Sequence, residues 1–134
     1  MATTEVDLVT PDATLYSGTA EMVVCKSVDG EIAFLADHMP YIGALDPCVV
    51  RVVGAGGGAD EVKVAVRSGF VEVKDNRVIM LADVALRADQ IDVAAVTQEE
   101  AEASQKASAA AEASPGVDRD LKWAQARLEL ARSA

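Results

Sequence analysis

Asp29-Gly30-Glu31-Ile32-Ala33-Phe34-Leu35-Ala36-Asp37-His38-Met39-Pro40-Tyr41-Ile42-Gly43-Ala44-Leu45-Asp46-Pro47-Cys48-Val49-Val50-Arg51-Val52 is the stretch on which the fold turns. It reads as a tight turn, a short strand, a loop built on His38 and Pro40, and a second strand. Asp and Gly tolerate the positive φ that a hairpin turn needs. On both sides of it, short β-rich runs alternate with turn signals roughly every ten residues, the rhythm of an antiparallel sandwich or barrel. The pattern predicts strands over 5–10, 20–27, 31–36, 48–54, 61–67, 70–74 and 77–82. Glu61-Val62-Lys63-Val64-Ala65-Val66-Arg67 alternates cleanly and should bury Val62, Val64 and Val66 on one face. Asp75-Asn76 is a second hairpin turn, and Gly69 marks a bulge or tight bend.

The composition changes near Asp83. After residue 88, Ala, Glu and Gln dominate and β-branched residues nearly vanish, which favours helix. Asp92 is the expected N-cap of a helix reaching about Ala113, with Thr97 and Glu100 offering a capping-box pattern one turn later. Ser114-Pro115-Gly116 should break it, and Asp118 should cap a second helix ending near Arg132. The short connection implies an antiparallel helical hairpin. The expected organisation is α+β: an antiparallel β-sandwich over residues 1–87, then a helical hairpin over 88–134.

The two helices carry different faces. The first offers Val96, Ala103, Ala107 and Ala110, mostly methyl groups, whose burial contributes little at about 25 cal/mol per Å². The second shows one narrow apolar stripe, Leu121, Ala124, Leu128 and Ala131. Arg119, Trp123 and Arg127 fall on the opposite side. Two readings of Trp123 stand side by side: a partner surface flanked by cations, or a ring folded onto the sandwich with Arg127 stacked on it. A hairpin held so lightly could detach, because a two-state element needs a gap of only a few kcal/mol.

Charge and composition exclude whole classes. The chain has 134 residues and a net charge of −10, which argues against binding a phosphate backbone. No apolar run approaches the roughly 18 residues of a membrane span, and the N-terminus lacks the marks of a signal or transit peptide. No nucleic-acid partner and no membrane insertion are therefore expected. Five aromatic residues leave a mostly aliphatic core. Cys25 and Cys48 read as reduced strand residues without a metal-ligand companion. His38 is the one histidine, so no His-rich centre, metal site or cupin-type enzyme can be built. Gly54-Ala55-Gly56-Gly57-Gly58 precedes a strand where a phosphate-binding loop needs a helix. Asp37, Asp46 and Glu31 could serve as acids or bases, but solvated loop carboxylates are far commoner. No catalytic residue, metal or cofactor is expected.

The ordered motifs resemble those of the epsilon subunit of F-type ATP synthases. The 29–52 segment carries the likeness furthest. Val9-Thr10-Pro11-Asp12 with Leu15-Tyr16-Ser17-Gly18 and Glu21-Met22-Val23 looks like the family's opening strands. Ser68-Gly69-Phe70-Val71-Glu72-Val73 resembles its Gly-Gly-Phe hairpin, and Val78-Ile79-Met80-Leu81-Ala82-Asp83 its last strand. Ser68 stands for the first Gly, Asp37 and Met39 for a usual Gly and Ala, and Cys48 for a common Gly.

That resemblance implies a non-catalytic rotor-stalk subunit, peripheral on the cytoplasmic face of a bacterial plasma membrane. Its sandwich would grip the gamma subunit and rest on the c-ring, with Asp29, Gly30, Glu31 and nearby His38 facing the ring. Its helices would extend from a hinge at Val84–Asp92 into the catalytic alpha/beta head and block ATP hydrolysis. Arg119, Lys122, Trp123 and Arg127 are then the expected contacts with an acidic segment of the head. The resemblance also implies a nucleotide motif of the form Ile/Leu-Asp-x-x-Arg-Ala. Ile91 and Asp92 supply its first two residues, but Ala95 stands where the guanidinium fork belongs. The readings from other classes are a free nucleotide-sensing domain and an adaptor that uses the sandwich as a docking platform.

Overall fold

The computed structural model describes residues 3–27, 30–54, 61–109 and 115–133, with the side chains of 107–109, 115–118 and 133 left aside. Ten strands come first: β1 (Thr4–Val9), β2 (Thr14–Ala20), β3 (Met22–Ser27), β4 (Gly30–Leu35), β5 (Tyr41–Leu45), β6 (Cys48–Val53), β7 (Glu61–Val66), β8 (Gly69–Lys74), β9 (Arg77–Ala82) and β10 (Ala85–Leu86). A 3-10 turn (Ala88–Gln90) leads into helices α1 (Val93–Ala109) and α2 (Pro115–Ser133).

The hydrogen-bonded path runs β10-β7-β6-β3-β5-β8-β9-β1-β2, with β4 paired to β3. It folds into two layers. One is β10-β7-β6-β3-β4 and the other β5-β8-β9-β1-β2, joined through Ser27 and Leu45. One pairing departs from the expected antiparallel pattern: β1 lies parallel to β9, Val6 beside Val78 and Leu8 beside Met80. These strands are not hairpin neighbours, so no tight turn dictates their direction.

Alternation decides what each layer buries. Val6, Leu8, Val23, Cys25, Phe34, Val50, Val52, Val64, Val66, Val71, Val73, Val78 and Met80 point between the layers and form the main core. Val64 and Val66 lie there as predicted, with Val62 packed at the margin. Asp75 and Asn76 take φ of 52° and 57°, the left-handed pair of a tight hairpin turn. At Gly69, φ is 154° and a Cβ would sit 2.0 Å from the Leu81 carbonyl oxygen, so the bend needs glycine.

Three strands escaped the sequence reading: β2, β5 and β10, the last too short at two residues to carry a period. β2 is polar and mostly exposed, so no buried alternation betrays it. β5 follows Pro40 and carries Gly43, both signals that weaken a strand pattern.

The helices begin differently from expectation. Asp92 Oδ1 accepts the Ala95 N–H at 3.2 Å, the predicted N-cap. The Thr97–Glu100 capping box does not form, because Thr97 Oγ1 instead donates to the Val93 carbonyl inside the helix, 2.7 Å away. Pro115 is the first residue of α2 rather than part of a break between the two helices, and Asp118 lies within α2 rather than before it. Proline suits that first position, where its missing N–H would have no partner. The stretch 110–114, into which α1 was expected to run, lies outside the described residues.

The helix faces also need correction. Ala124 and Leu128 pack on Val96 of α1, with Ile91 beside them. A second buried face, Trp123 and Leu130, lies on Ala65 and Val49, on the outer side of β6 and β7. Trp123 therefore belongs to the sheet-facing side of α2, not to a polar face opposite the apolar stripe. Of the two readings of this ring, the folded-down one describes the structure.

Candidate functional site

The basic side chains of α2 look three ways. Arg119 is exposed and lines a groove at the end of the sandwich. Lys122 Nζ meets Asp46 Oδ2 at 2.9 Å, tying the helix to the connection between β5 and β6. Arg127 lies with its guanidinium carbon 4.8 Å from the centroid of the Trp123 ring and pairs with the Glu99 carboxylate of α1. Its side chain is only 12 % exposed. The sequence brings these four residues onto one helix, and folding gives three of them partners within the chain.

The residues expected at the c-ring do not gather. Gly30 and Glu31 open β4, and His38 follows its far end, so a strand of roughly 17 Å separates them. Asp29 lies outside the described residues. His38 packs edge-on against Phe34, with ring centroids 4.9 Å apart. Its Nδ1 lies 2.7 Å from the Met39 carbonyl oxygen, a bond in which Nδ1–H donates. The Gly30 end instead adjoins Asp46, Pro47 and Lys122 around one cleft.

The segment expected to hinge is fastened at several points. Asp83 Oδ1 accepts the N–H groups of Ser68 (3.0 Å) and Val84 (2.6 Å), while Oδ2 accepts Arg67 Nε (3.0 Å) and Nη2 (2.9 Å). Burial of this carboxyl opposes ionisation, yet the bonds from Arg67, Ser68 and Val84 outweigh it and hold its pKa below the ordinary 3.8. β10 then pairs with β7, and the Arg87 guanidinium reaches the Leu15 carbonyl. Ile91 packs against both helix clusters, and Asp92 caps α1.

One surface had no place in the sequence reading. On the outer side of β5, β8 and β9, Ala44 lies beside Phe70 and Phe70 beside Leu81. Ile42 is 72 % exposed, Phe70 60 % and Leu81 56 %. Ala44, Phe70 and Leu81, with Val9 and Pro11, line a groove of about 680 Å³, rimmed by Asp83 and Arg119. A signal was available: Val71 and Val73 take the inward phase of β8, which leaves Phe70 on the solvent phase, where a large ring marks a contact.

Little else invites chemistry. Burial pushes the Cys25 thiol up to about 12, with smaller contributions from Cys48 and Glu31. Burial likewise raises Cys48 to about 11, partly offset by Lys26. Both thiols are free and protonated, hence poor nucleophiles. Among the described residues, no three His, Cys, Asp or Glu side chains converge to hold a metal ion, and no helix is long and apolar enough to cross a membrane.

Residues 3–88 match the family model for the ATP synthase delta/epsilon chain β-sandwich domain. An ATP synthase epsilon chain from Shouchella clausii is 40% identical over 131 residues, 98% of this chain and 91% of that one. A chain in a structure of the Euglena gracilis mitochondrial ATP synthase with OSCP, F1 and c-ring superposes with a TM-score of 0.80. It is 21% identical, and the match covers 98% of this chain and 82% of that one. A chain in a Tetrahymena thermophila mitochondrial ATP synthase central stalk and c-ring structure gives a TM-score of 0.57 at 16% identity, over 96% of this chain and 93% of that one.

Proposed function

The chain belongs to the ATP synthase epsilon-chain family, and on that premise we propose that its sandwich is a clamp on the rotor stalk and its helical hairpin a releasable brake. It is a subunit of that complex and not one of its catalytic chains. The observation that carries the reading is a division of faces. The hairpin covers the outer side of β6 and β7, while the outer side of β5, β8 and β9 stays apolar and open.

The open face suits the gamma subunit, since a central aromatic flanked by aliphatics is how stable interfaces are anchored. The Gly30–Glu31 end is polar and suits the loops of the c-ring. The two parts divide at residues 1–87 and 88–134, and among the described residues the main core draws on 6–82 with Ala85 at its margin, so the clamp does not depend on the helices. When the 84–92 segment lets go, the cationic side of α2 becomes available to the alpha/beta head and ATP hydrolysis slows. The complex to which the subunit belongs is membrane-associated, and its place is peripheral, on the cytoplasmic face.

Two additions to an ATPase head lacking this subunit test the reading, with binding measured in parallel. Full chain and residues 1–87 should both bind, and only the full chain should slow hydrolysis. Phe70→Ser should weaken binding to the gamma-containing head by roughly 30-fold, the cost of one anchor residue, without lowering the melting temperature. Unchanged binding in Phe70→Ser would remove the clamp face, and equal hydrolysis with both chains would remove the brake.

A further inference from the structure

We propose that Asp46 and Glu99 are internal stand-ins for an acidic partner, keeping the cations of α2 engaged inside the folded chain until a partner carboxylate takes their place. The proposal rests on the reading of the hairpin as a releasable brake.

Two of the cations expected to meet the head are already paired, and each carboxylate comes from a different part of the molecule. Asp46, between β5 and β6, holds Lys122 from the sandwich side. Glu99, on α1, holds Arg127 from the helix side. The folded α2 is thus neutralised from both flanks. Arg127 is also stacked on Trp123, the ring that docks α2 on Ala65. Separating Arg127 from Glu99 therefore loosens the same side chain that holds the helix to the sheet.

The exchange is cheap in both directions. Glu99 is 54 % exposed and the Lys122 side chain 42 %, so a carboxylate can approach either pair from solvent. Each pair has one partner open to solvent, which keeps it weak, and replacing one carboxylate by another keeps the more buried Arg127 charge paired throughout. Arg119 is exposed and, among the described residues, forms no ion pair. It is placed to meet an acidic surface first, before the two paired cations are released. Asp46 and Glu99 then set how readily the arm lets go.

The test compares the full wild-type chain with the Asp46→Asn/Glu99→Gln double variant and the single Glu99→Gln variant. The readout is inhibition of ATP hydrolysis by a head lacking this subunit, at about 0.01 M and about 1 M salt. The half-inhibitory concentration of the double variant should fall about five-fold at low salt, within the range that two exposed pairs supply. The difference should vanish at high salt, where charges are screened within about 3 Å. In the free chain, acrylamide should quench Trp123, the one tryptophan, more strongly in the variants than in the wild type. Should the double variant fail to melt cooperatively, the single variant carries the comparison. Equal or weaker inhibition by variants that still bind the head overturns the proposal. A wild-type chain that binds without inhibiting overturns the brake instead, and unchanged quenching in that case removes the stand-in pairs as well.

Discussion

The sandwich and the hairpin are built from different materials, and the difference explains how one chain can hold still and move. The sandwich core is Val, Leu, Phe and Met, contributed by strands distant in sequence and buried to completion. Each such side chain contributes about 1.5–3 kcal/mol, and all of them must be lost together. The hairpin rests on one Val, a few Ala, two Leu and a Trp, supplemented by two ion pairs across its edges. Its contacts are few and separable, so it can leave without unfolding the rest.

The largest expected effect tests the fixed side of this contrast. Phe34 is fully buried between the layers and touches His38 and Tyr41. Phe34→Ala should cost about 3–5 kcal/mol, read as a lower denaturant midpoint for the whole chain. A loss confined to the helices would mean that the sandwich is not the cooperative unit.

The second effect tests the movable side. Trp123 is 9 % exposed and, with Leu130, packs α2 against Ala65 and Val49 of the sheet. Trp123→Ala should cost about 3 kcal/mol of docking, the low end for a large aromatic. Amide exchange should rise throughout α1 and α2, while β6, β7 and β8 keep their protection. Equal loss in both regions would merge the two units into one and break the comparison.

How much of this was legible beforehand follows the same division. The strands of the sandwich showed in the sequence because burial imposes a period of two, as in Val62, Val64 and Val66. β2 was hidden because it buries little and so carries no period. The helices showed through composition, but their faces did not. Ala-rich helices leave the apolar moment too weak to tell which side meets the sheet. The sequence therefore leaves Trp123 between a partner surface and a ring folded onto the sandwich, and only the structure decides for the second. His38 and Gly30–Glu31 looked like one site because eight residues separate them in sequence. A strand laid between them puts them at opposite ends. The ion pairs of Lys122 and Arg127 join residues 76 and 28 positions apart, a pairing no local pattern announces.

Acid should act on the sandwich first, and modestly. Hydrogen bonds from Arg77 and Ser17 hold Asp7 below the ordinary 3.8, and bonds from Arg67, Ser68 and Val84 outweigh burial to do the same for Asp83. A carboxyl depressed in the folded state stabilises it above 3.8 and loses that contribution as pH falls through the folded value. Melting temperature should therefore be flat above pH 5 and decline below about pH 4. Asp7→Asn and Asp83→Asn should each flatten the decline. A decline unchanged in both variants would place the acid-sensitive groups elsewhere.

The smallest expected effect concerns the junction between the two regions. Asp92 accepts the Ala95 N–H, and Ala95 stands where the resembled nucleotide motif carries its arginine. That position supplies a backbone donor to the cap and no guanidinium for a phosphate. Asp92→Ala should therefore cost about 1 kcal/mol, confined to the first turn of α1, and visible as faster exchange of its leading amides. If capping is the whole role of Asp92, Mg-ATP should leave the melting temperature of wild type and variant equally unmoved. A wild-type chain stabilised by Mg-ATP, with the shift lost in Asp92→Ala, would make this junction a nucleotide site after all. The hairpin would then answer to a ligand as well as to its charges.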